Sequence, residues 1–297
     1  MIIVFGSINI DVIGHAPRLM RPGETVLGTT LEFSPGGKGA NQALAASRAG
    51  GEVRMVGCVG DDDFANRALA LLSEAEIDLS GVRRMDKHTG TALIVVDDAG
   101  ENMITVLPGA NARLTGAALE QGGIGGDDIL LLQLEVPLQS SLTAARVARR
   151  NGARVMLNLA PYMDFPPELL ETITHLVVNE TELAGLLEII DAPERDQVEA
   201  VKWLAERYGL TVIATLGPKG AVAVSGDETA SVAGLRITPV DTVGAGDTFV
   251  GYFATGLAEG LSLADALSLA NTAAATACLK PGAQPSIPER ADLPAAR

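Results

Sequence analysis

Short, almost unbroken apolar runs recur along the chain: Ile2 to Gly6, Val53 to Val59, Ile129 to Leu134, Arg154 to Leu159, His175 to Val178 and Thr211 to Thr215. Runs of this length predict strands buried on both faces, the kind parallel sheets use. Amphipathic stretches with helix punctuation lie between them. Ala40 to Ala49 stops at Gly50-Gly51, Phe64 to Ala75 follows three aspartates able to cap it, and Leu138 to Asn151 stops at Gly152. Strands and helices in alternation predict crossover units and an α/β fold built on a doubly wound sheet.

One segment breaks the series. Thr91 to Val96 and Asn102 to Leu107 flank the turn-forming Asp97-Asp98-Ala99-Gly100, a hairpin signal. With Ile10 to Ile13 and Glu24 to Phe33 nearby, it predicts a small sheet standing off the main body as a lid. The lid strands are expected from about 10–14, 24–33 and 89–107. Ser262 to Leu279 is alanine-rich and helical in pattern, and Pro281-Gly282 breaks it. No repeat or low-complexity linker divides the chain, so residues 1–297 read as a single domain.

A chain of 297 residues with 47% hydrophobic content can bury a large core, which excludes disorder as a class. The formal charge of −15, spread along the chain, argues against nucleic acid or an acidic membrane as partner. Any bound polyphosphate must then be held by local groups. Cys58 and Cys278 are far apart in apolar surroundings, which suggests no disulfide framework and fits a reducing cytoplasm. Met1 leads straight into a strand-like run, and no uncharged apolar stretch is long enough for a bilayer, so the expectation is neither export nor membrane insertion.

Candidate chemistry concentrates in Asp241-Thr242-Val243-Gly244-Ala245-Gly246-Asp247-Thr248, where small residues precede an acid and an apolar helical stretch, Thr248 to Leu257. The first N–H groups of a helix lack intrahelical partners and gather the positive end of its dipole. Gly244, Ala245 and Gly246 leave those donors bare, so phosphoryl oxygens can approach them. Asp247 has two uses: it caps the helix, or it orients an attacking hydroxyl and takes its proton.

Other polar clusters sit beside strand ends. Gly6-Ser7-Ile8-Asn9-Ile10-Asp11 puts Asn9 and Asp11 on one side of an extended segment, where open α/β sheets bind ligands; a turn closed by their side chains is the plainer use. Gly36-Gly37-Lys38-Gly39-Ala40-Asn41 enters a helix without P-loop spacing, and its polar tips, Lys38 and Asn41, suit a sugar or simply mark a glycine loop. In Asn179-Glu180-Thr181-Glu182, Asn179 reads as a helix cap, while Glu182 could hold a water on Mg2+. Thr215-Leu216-Gly217-Pro218-Lys219-Gly220 either lines a phosphate path or forms a turn with a solvated Lys219. His15, His88 and His175 are scattered, with no cysteine cluster to make a zinc site. Neither Gly-x-Ser-x-Gly nor a post-strand Gly-x-Gly-x-x-Gly occurs, which disfavours a serine hydrolase and a dinucleotide enzyme.

In this order the motifs resemble the PfkB carbohydrate kinase family, its ribokinase branch in particular, over essentially the whole chain. Gly6 to Asp11, Gly36 to Gln42, Gly60-Asp61-Asp62, Leu132-Gln133-Leu134-Glu135, Asn179 to Glu182, Thr215 to Gly220, Asp241 to Phe249 and Gly282 to Ser286 carry the likeness. It implies a ribokinase-like three-layer fold with a small β lid, transferring the ATP γ-phosphoryl group to the 5-hydroxyl of D-ribose. Deoxyribose, another sugar or a nucleoside are the alternative acceptors, and a non-catalytic sugar-binding regulator is the alternative class.

By the same resemblance Asp247 is the base and the amides of Gly244, Ala245, Gly246 and Asp247 form the anion hole. Asn9, Asp11, Gly37, Lys38, Asn41 and Glu135 are expected to hold the sugar, with Ile94 and Val106 closing over it and Ile10 tuning which pentose fits. Asn179, Thr215, Gly217, Lys219 and Asn271 are expected along the nucleotide, with Glu182 acting through hydrated Mg2+. A potassium ion is expected at Asp241, Val243, Ala277, Lys280, Gly282 and Ser286, mostly through carbonyls. Two positions depart from the family pattern: Tyr252, where a small residue is usual after Gly251, and Pro281, where a basic one is common. An apolar outer face on the lid predicts a homodimer joined through the lids.

Overall fold

The apolar runs do form strands. The computed structural model describes residues 1–120 and 123–294. The chain begins β1 (Ile2–Phe5), β2 (Asn9–Ala16), β3 (Thr30–Gly36), α1 (Lys38–Arg48), β4 (Val53–Gly60), α2 (Asp63–Ala68), α3 (Ala70–Glu74) and β5 (Asp78–Met85). It continues with β6 (Gly90–Asp97), β7 (Asn102–Leu107), β8 (Ile129–Leu132), α4 (Leu138–Arg150), β9 (Arg154–Asn158), β10 (His175–Asn179), α5 (Glu180–Ile189) and α6 (Gln197–Tyr208). It ends with β11 (Thr211–Thr215), β12 (Gly220–Ser225), β13 (Glu228–Ala233), α7 (Ala245–Ala258) and α8 (Leu263–Ala277).

Among the described residues a nine-stranded sheet runs β13-β12-β11-β10-β9-β8-β1-β4-β5, with every pairing from β11 to β5 parallel. Strand alternation divides its side chains between two cores. Ile2 and Val4 pack with α1, α7 and α8, whereas Ile3 and Phe5 pack with α4 and α6. Helices therefore cover both faces, as the doubly wound expectation requires, and each fully buried aliphatic side chain contributes about 1.5–3 kcal/mol.

A four-stranded sheet, β3-β2-β6-β7, is separate from this body. The predicted hairpin is β6–β7, antiparallel from Thr91↔Leu107 to Val96↔Asn102. Of the expected 24–33 strand only Thr30 onward is extended, because Gly23 turns the chain at φ +83° and Arg18 pairs with Glu24 before it. The helix expected over Phe64 to Ala75 is interrupted at Leu69, and Asp62 caps its first part by accepting from the Ala65 amide.

Three strands have no apolar run to announce them. β5 lies at a sheet edge with a mixed sequence, half-exposed along most of its length. β12 and β13 form an antiparallel hairpin of small residues turning at Gly226, φ +56°.

Candidate active site

The carboxyl ends of β1, β8, β9, β10 and β11 converge on the start of α7. Gly244 takes φ +77° and α7 begins at Ala245, three residues before the predicted Thr248. Asp247 is thus the third helical residue and caps nothing: no backbone N–H donates to its side chain among the described residues. Its carboxylate turns inward, accepting from Asn41 Nδ2 at 2.9 Å on Oδ2 and from Gln42 Nε2 at 2.9 Å on Oδ1. The amides of Gly244, Gly246 and Asp247 donate to no protein acceptor among the described residues, and that of Ala245 reaches only Thr242 O at 3.3 Å.

Close helix packing delivers these partners. A Cβ on Gly251 would stand 2.5 Å from the Ala45 Cβ, so the bare glycine lets α1 and α7 touch. Tyr252, the departure beside it, is fully buried and donates its hydroxyl to Pro288 O at 2.8 Å. The larger residue therefore ties α7 to the C-terminal segment without separating the two helices.

Helix α1 starts at Lys38, two residues before the predicted Ala40. Gly37 makes this possible: at φ +89° any Cβ would lie 2.8 Å from the Asn9 amide nitrogen. The Lys38 N–H donates to Glu135 Oε2 at 3.0 Å, and Ser7 Oγ donates to the same oxygen at 2.6 Å. Glu135 thereby anchors the start of α1 from β8's far end. The Lys38 side chain lines a cavity of about 230 Å3 with Asn158, Glu182, Gly244, Gly246 and Asp247. Asp247 foremost, then Glu135 and Glu182, raise the Lys38 pKa against the opposing effect of burial.

The cap expected at Asn179 is present, and Glu182 takes part in it. Asn179 caps α5 by accepting from the Glu182 amide, and Glu182 Oε2 accepts from the Asn179 amide, each at 2.8 Å. Its carboxylate still lines the smaller cavity, and burial pushes its pKa up. That cavity shares Asn179, Thr215, Thr242 and Gly246 with a larger one of about 460 Å3, also lined by Gly217, Phe249 and Asn271. Lys219 lines neither; its ammonium pairs with Glu180 at 3.0 Å on the surface.

Near the small sheet, Asn9 and Asp11 share one face of β2, as the alternation predicts, and cross-strand register puts Ala92, Ile94, Ile104 and Val106 on that face. Ile10 occupies the opposite face and is fully buried, so it cannot touch what Asn9 and Asp11 touch. Asn9 Oδ1 accepts from Asn111 Nδ2 at 2.7 Å. Asp11 has its pKa raised to about 6 by burial and by the charge of Glu135.

The proposed cation residues come from the loop before α7 and from the end of α8 with the loop after it, which the fold brings together. Asp241 accepts from the Val243 amide at 3.0 Å and the Gly282 amide at 2.8 Å. Ser286 Oγ donates to Ala283 O, and the Ala277 carbonyl accepts from the Lys280 amide. The donors on offer are hard oxygens, and no cluster of three His, Cys, Asp or Glu suited to a metal occurs among the described residues. This chemistry fits an alkali cation and not a transition metal.

The family model described as pfkB family carbohydrate kinase matches residues 1–290. The chain belongs to the PfkB family. It is an ATP-dependent phosphotransferase acting on a sugar hydroxyl. It is 37% identical over 290 residues to the ribokinase of Haemophilus influenzae, covering 97% of this chain and 95% of that one. Identity to the deoxyribokinase of Salmonella typhi is 32% over 292 residues, covering 97% and 95%. The Arabidopsis thaliana ribokinase complexed with ribose and ATP superposes with a TM-score of 0.86 at 30% identity, covering 98% of this chain and 96% of that one.

Several buried polar residues near Asp247 and, for Asn111, beside Asn9 carried no site role in the sequence reading. Gln42, Gln133 and Asn158 are buried, and Asn111 is 1% exposed. A polar residue closing an apolar run was the available signal: Gln133 follows Leu130-Leu131-Leu132, and Asn158 ends Val155-Met156-Leu157. Such positions are too costly to fill with amides unless something binds them.

Proposed function

We propose that this PfkB kinase transfers the γ-phosphoryl group of ATP to the 5-hydroxyl of D-ribose, with Asp247 as base. The inward-facing Asp247 carboxylate carries the reading, because unpartnered amides, Lys38 and Glu182 surround the same cavity. The sugar hydroxyl gives its proton to Asp247 while its oxygen forms the new P–O bond and the bond to the ADP oxygen breaks. Charge on the transferring group meets the amides of Gly244 to Asp247 and the start of α7. Removing one such donor in other enzymes costs about 2.7–4 kcal/mol.

Asn9, Asp11, Lys38, Asn41 and Glu135 hold sugar hydroxyls, and Gly37 brings backbone close. Asn41 Oδ1 supports this, being buried without a partner while its amide serves Asp247. Ile94 and Val106 close over the ring, the small sheet acting as the lid of a single kinase domain. Asn179, Thr215, Gly217 and Asn271 lie along the nucleotide in the larger cavity, and Lys219 joins them only on leaving Glu180. Glu182 would hold Mg2+ through water, the ion supplying charge neutralisation to the phosphates when bound. Asp241, Val243, Ala277, Lys280, Gly282 and Ser286 would hold K+ beside the anion hole. We also propose a cytoplasmic homodimer joined through the lids; no helix among the described residues is long and apolar enough to cross a membrane.

ADP release measured across ribose, deoxyribose, fructose, ribitol and adenosine tests the acceptor. Ribose giving the highest kcat/KM is the expected result. Preference for deoxyribose is the second reading, favoured by the Salmonella typhi relative, and sugar binding by calorimetry without turnover would make the chain a regulator. Asp247→Asn is expected to lose at least about a hundredfold in kcat with little change in ATP affinity; near-normal turnover refutes the base.

A further inference from the structure

Gln42 makes none of the contacts expected of a ligand-binding residue, yet it is fully buried and touches Asp247. Its Nε2 donates to Asp247 Oδ1 at 2.9 Å and to Asn158 Oδ1 at 3.0 Å. Its Oε1 accepts from Gln133 Nε2 at 2.7 Å. The amide orientation is dictated by chemistry: an ionised carboxylate only accepts, so the NH2 of Gln42 must face Asp247 and its oxygen must face Gln133. Both hydrogens and the oxygen are thereby committed.

Two consecutive residues of α1 thus grip the two oxygens of one carboxylate, and their roles differ. Asn41 has an unpartnered Oδ1 and is available to a substrate. Gln42 faces inward, braced from behind by Gln133 and from the side by Asn158. We infer that Gln42 is a positioning residue, part of a Gln133–Gln42–Asp247 chain that fixes the plane of the Asp247 carboxylate so that its remaining lone pairs address the sugar hydroxyl. A misplacement of about 1 Å at such a group can cost around a hundredfold in rate. Ordinary core packing would not need this arrangement, since burying amides is costly and the Gln133 Oε1 is left without a partner among the described residues.

The inference rests on Asp247 being the base, so the test separates the two. Gln42→Met, Gln42→Glu, Gln133→Met, Asp247→Asn and the double variant Gln42→Met/Asp247→Asn are compared as full-length enzymes for kcat and for KM of both substrates. Gln42→Met keeps the length and loses the bonds; kcat is expected to fall about tenfold or more, KM values staying within about threefold. Gln42→Glu keeps the acceptor for Gln133 but sets a second carboxyl against Asp247, and is expected to fall at least as far. Gln133→Met leaves the Gln42–Asp247 bond and removes its brace, for a drop of a few-fold.

The double variant is decisive. If Gln42 acts through Asp247, it is no slower than Asp247→Asn alone, because a positioning bond is worthless without its target. Losses that multiply, or a rise in KM without a fall in kcat, overturn the inference and make Gln42 structural. An active Asp247→Asn instead refutes the base, whatever Gln42 does. Should Gln42→Met fail to fold, Gln42→Glu and Gln133→Met decide: unchanged kcat in both overturns the inference, and a fall in kcat at constant KM in both upholds it.

Discussion

Asp11 is expected to link sugar binding to pH. Its carboxylate sits on β2 among buried groups, with Gly36 so close that a Cβ there would be 2.6 Å from Oδ2. Burial and the neighbouring Glu135 charge raise its pKa from 3.8 to about 6. If the ionised form accepts the sugar's hydroxyls, about nine-tenths of the enzyme is competent at about pH 7 and about one-tenth at about pH 5. The KM for the sugar is then expected to be about tenfold higher at the lower pH, while its effect on kcat at saturating sugar is small. Steady-state kinetics across that range, with ATP saturating, measure this directly. Asp11→Asn should show a raised KM that no longer changes with pH. A flat wild-type KM, or a slope that survives Asp11→Asn, refutes the reasoning.

The same shift has a consequence for stability, with a fixed sign. A carboxyl whose pKa is higher in the folded state favours folding when protonated. Its contribution is complete below the unfolded value near 3.8 and is lost as pH rises through about 6. Asp11→Asn removes a buried charge only where one exists, so without ligand it is expected to raise Tm above about pH 6.5 and not below about pH 4. Destabilisation at neutral pH would mean that Asp11 holds structure through contacts stronger than its burial penalty.

Two other expectations follow from packing. Gly251→Ala places a methyl 2.5 Å from the Ala45 Cβ, which is expected to cost about 1–3 kcal/mol and to lower kcat as α1 and α7 separate; wild-type Tm and kcat would show that the helices can yield. Leu31, Leu93 and Met103, on the face of the small sheet opposite Asp11, are each 45% or more exposed, so sedimentation at micromolar concentration is expected to give a dimer, and monomer alone would count against association through the lids.

The body of the fold was legible because a parallel strand buried on both faces needs an apolar middle, and β1, β4 and β8 to β11 have one, their polar residues falling at the strand ends apart from Arg54 in β4. β5 and the β12–β13 hairpin were not, since edge position and small residues leave no such run. The glycines of the α7 start and the polar tips of the α1 start could be read as binding chemistry, but not what joins them. That junction is a set of contacts between residues more than two hundred apart, Asn41 and Gln42 with Asp247. It depends on Gly251 allowing two helices to touch, a fact about space that no local pattern records. The sequence reading accordingly set capping against catalysis for Asp247, and each ligand role against a turn or cap elsewhere. The fold treats these differently: Asn179 and Glu182 cap and still line the cavity, whereas Asp247 gives up capping altogether and turns both oxygens toward α1. An acid at the first turn of a helix that forgoes the backbone N–H groups beside it leaves those donors to something else, and in this chain the small residues before it keep the approach open.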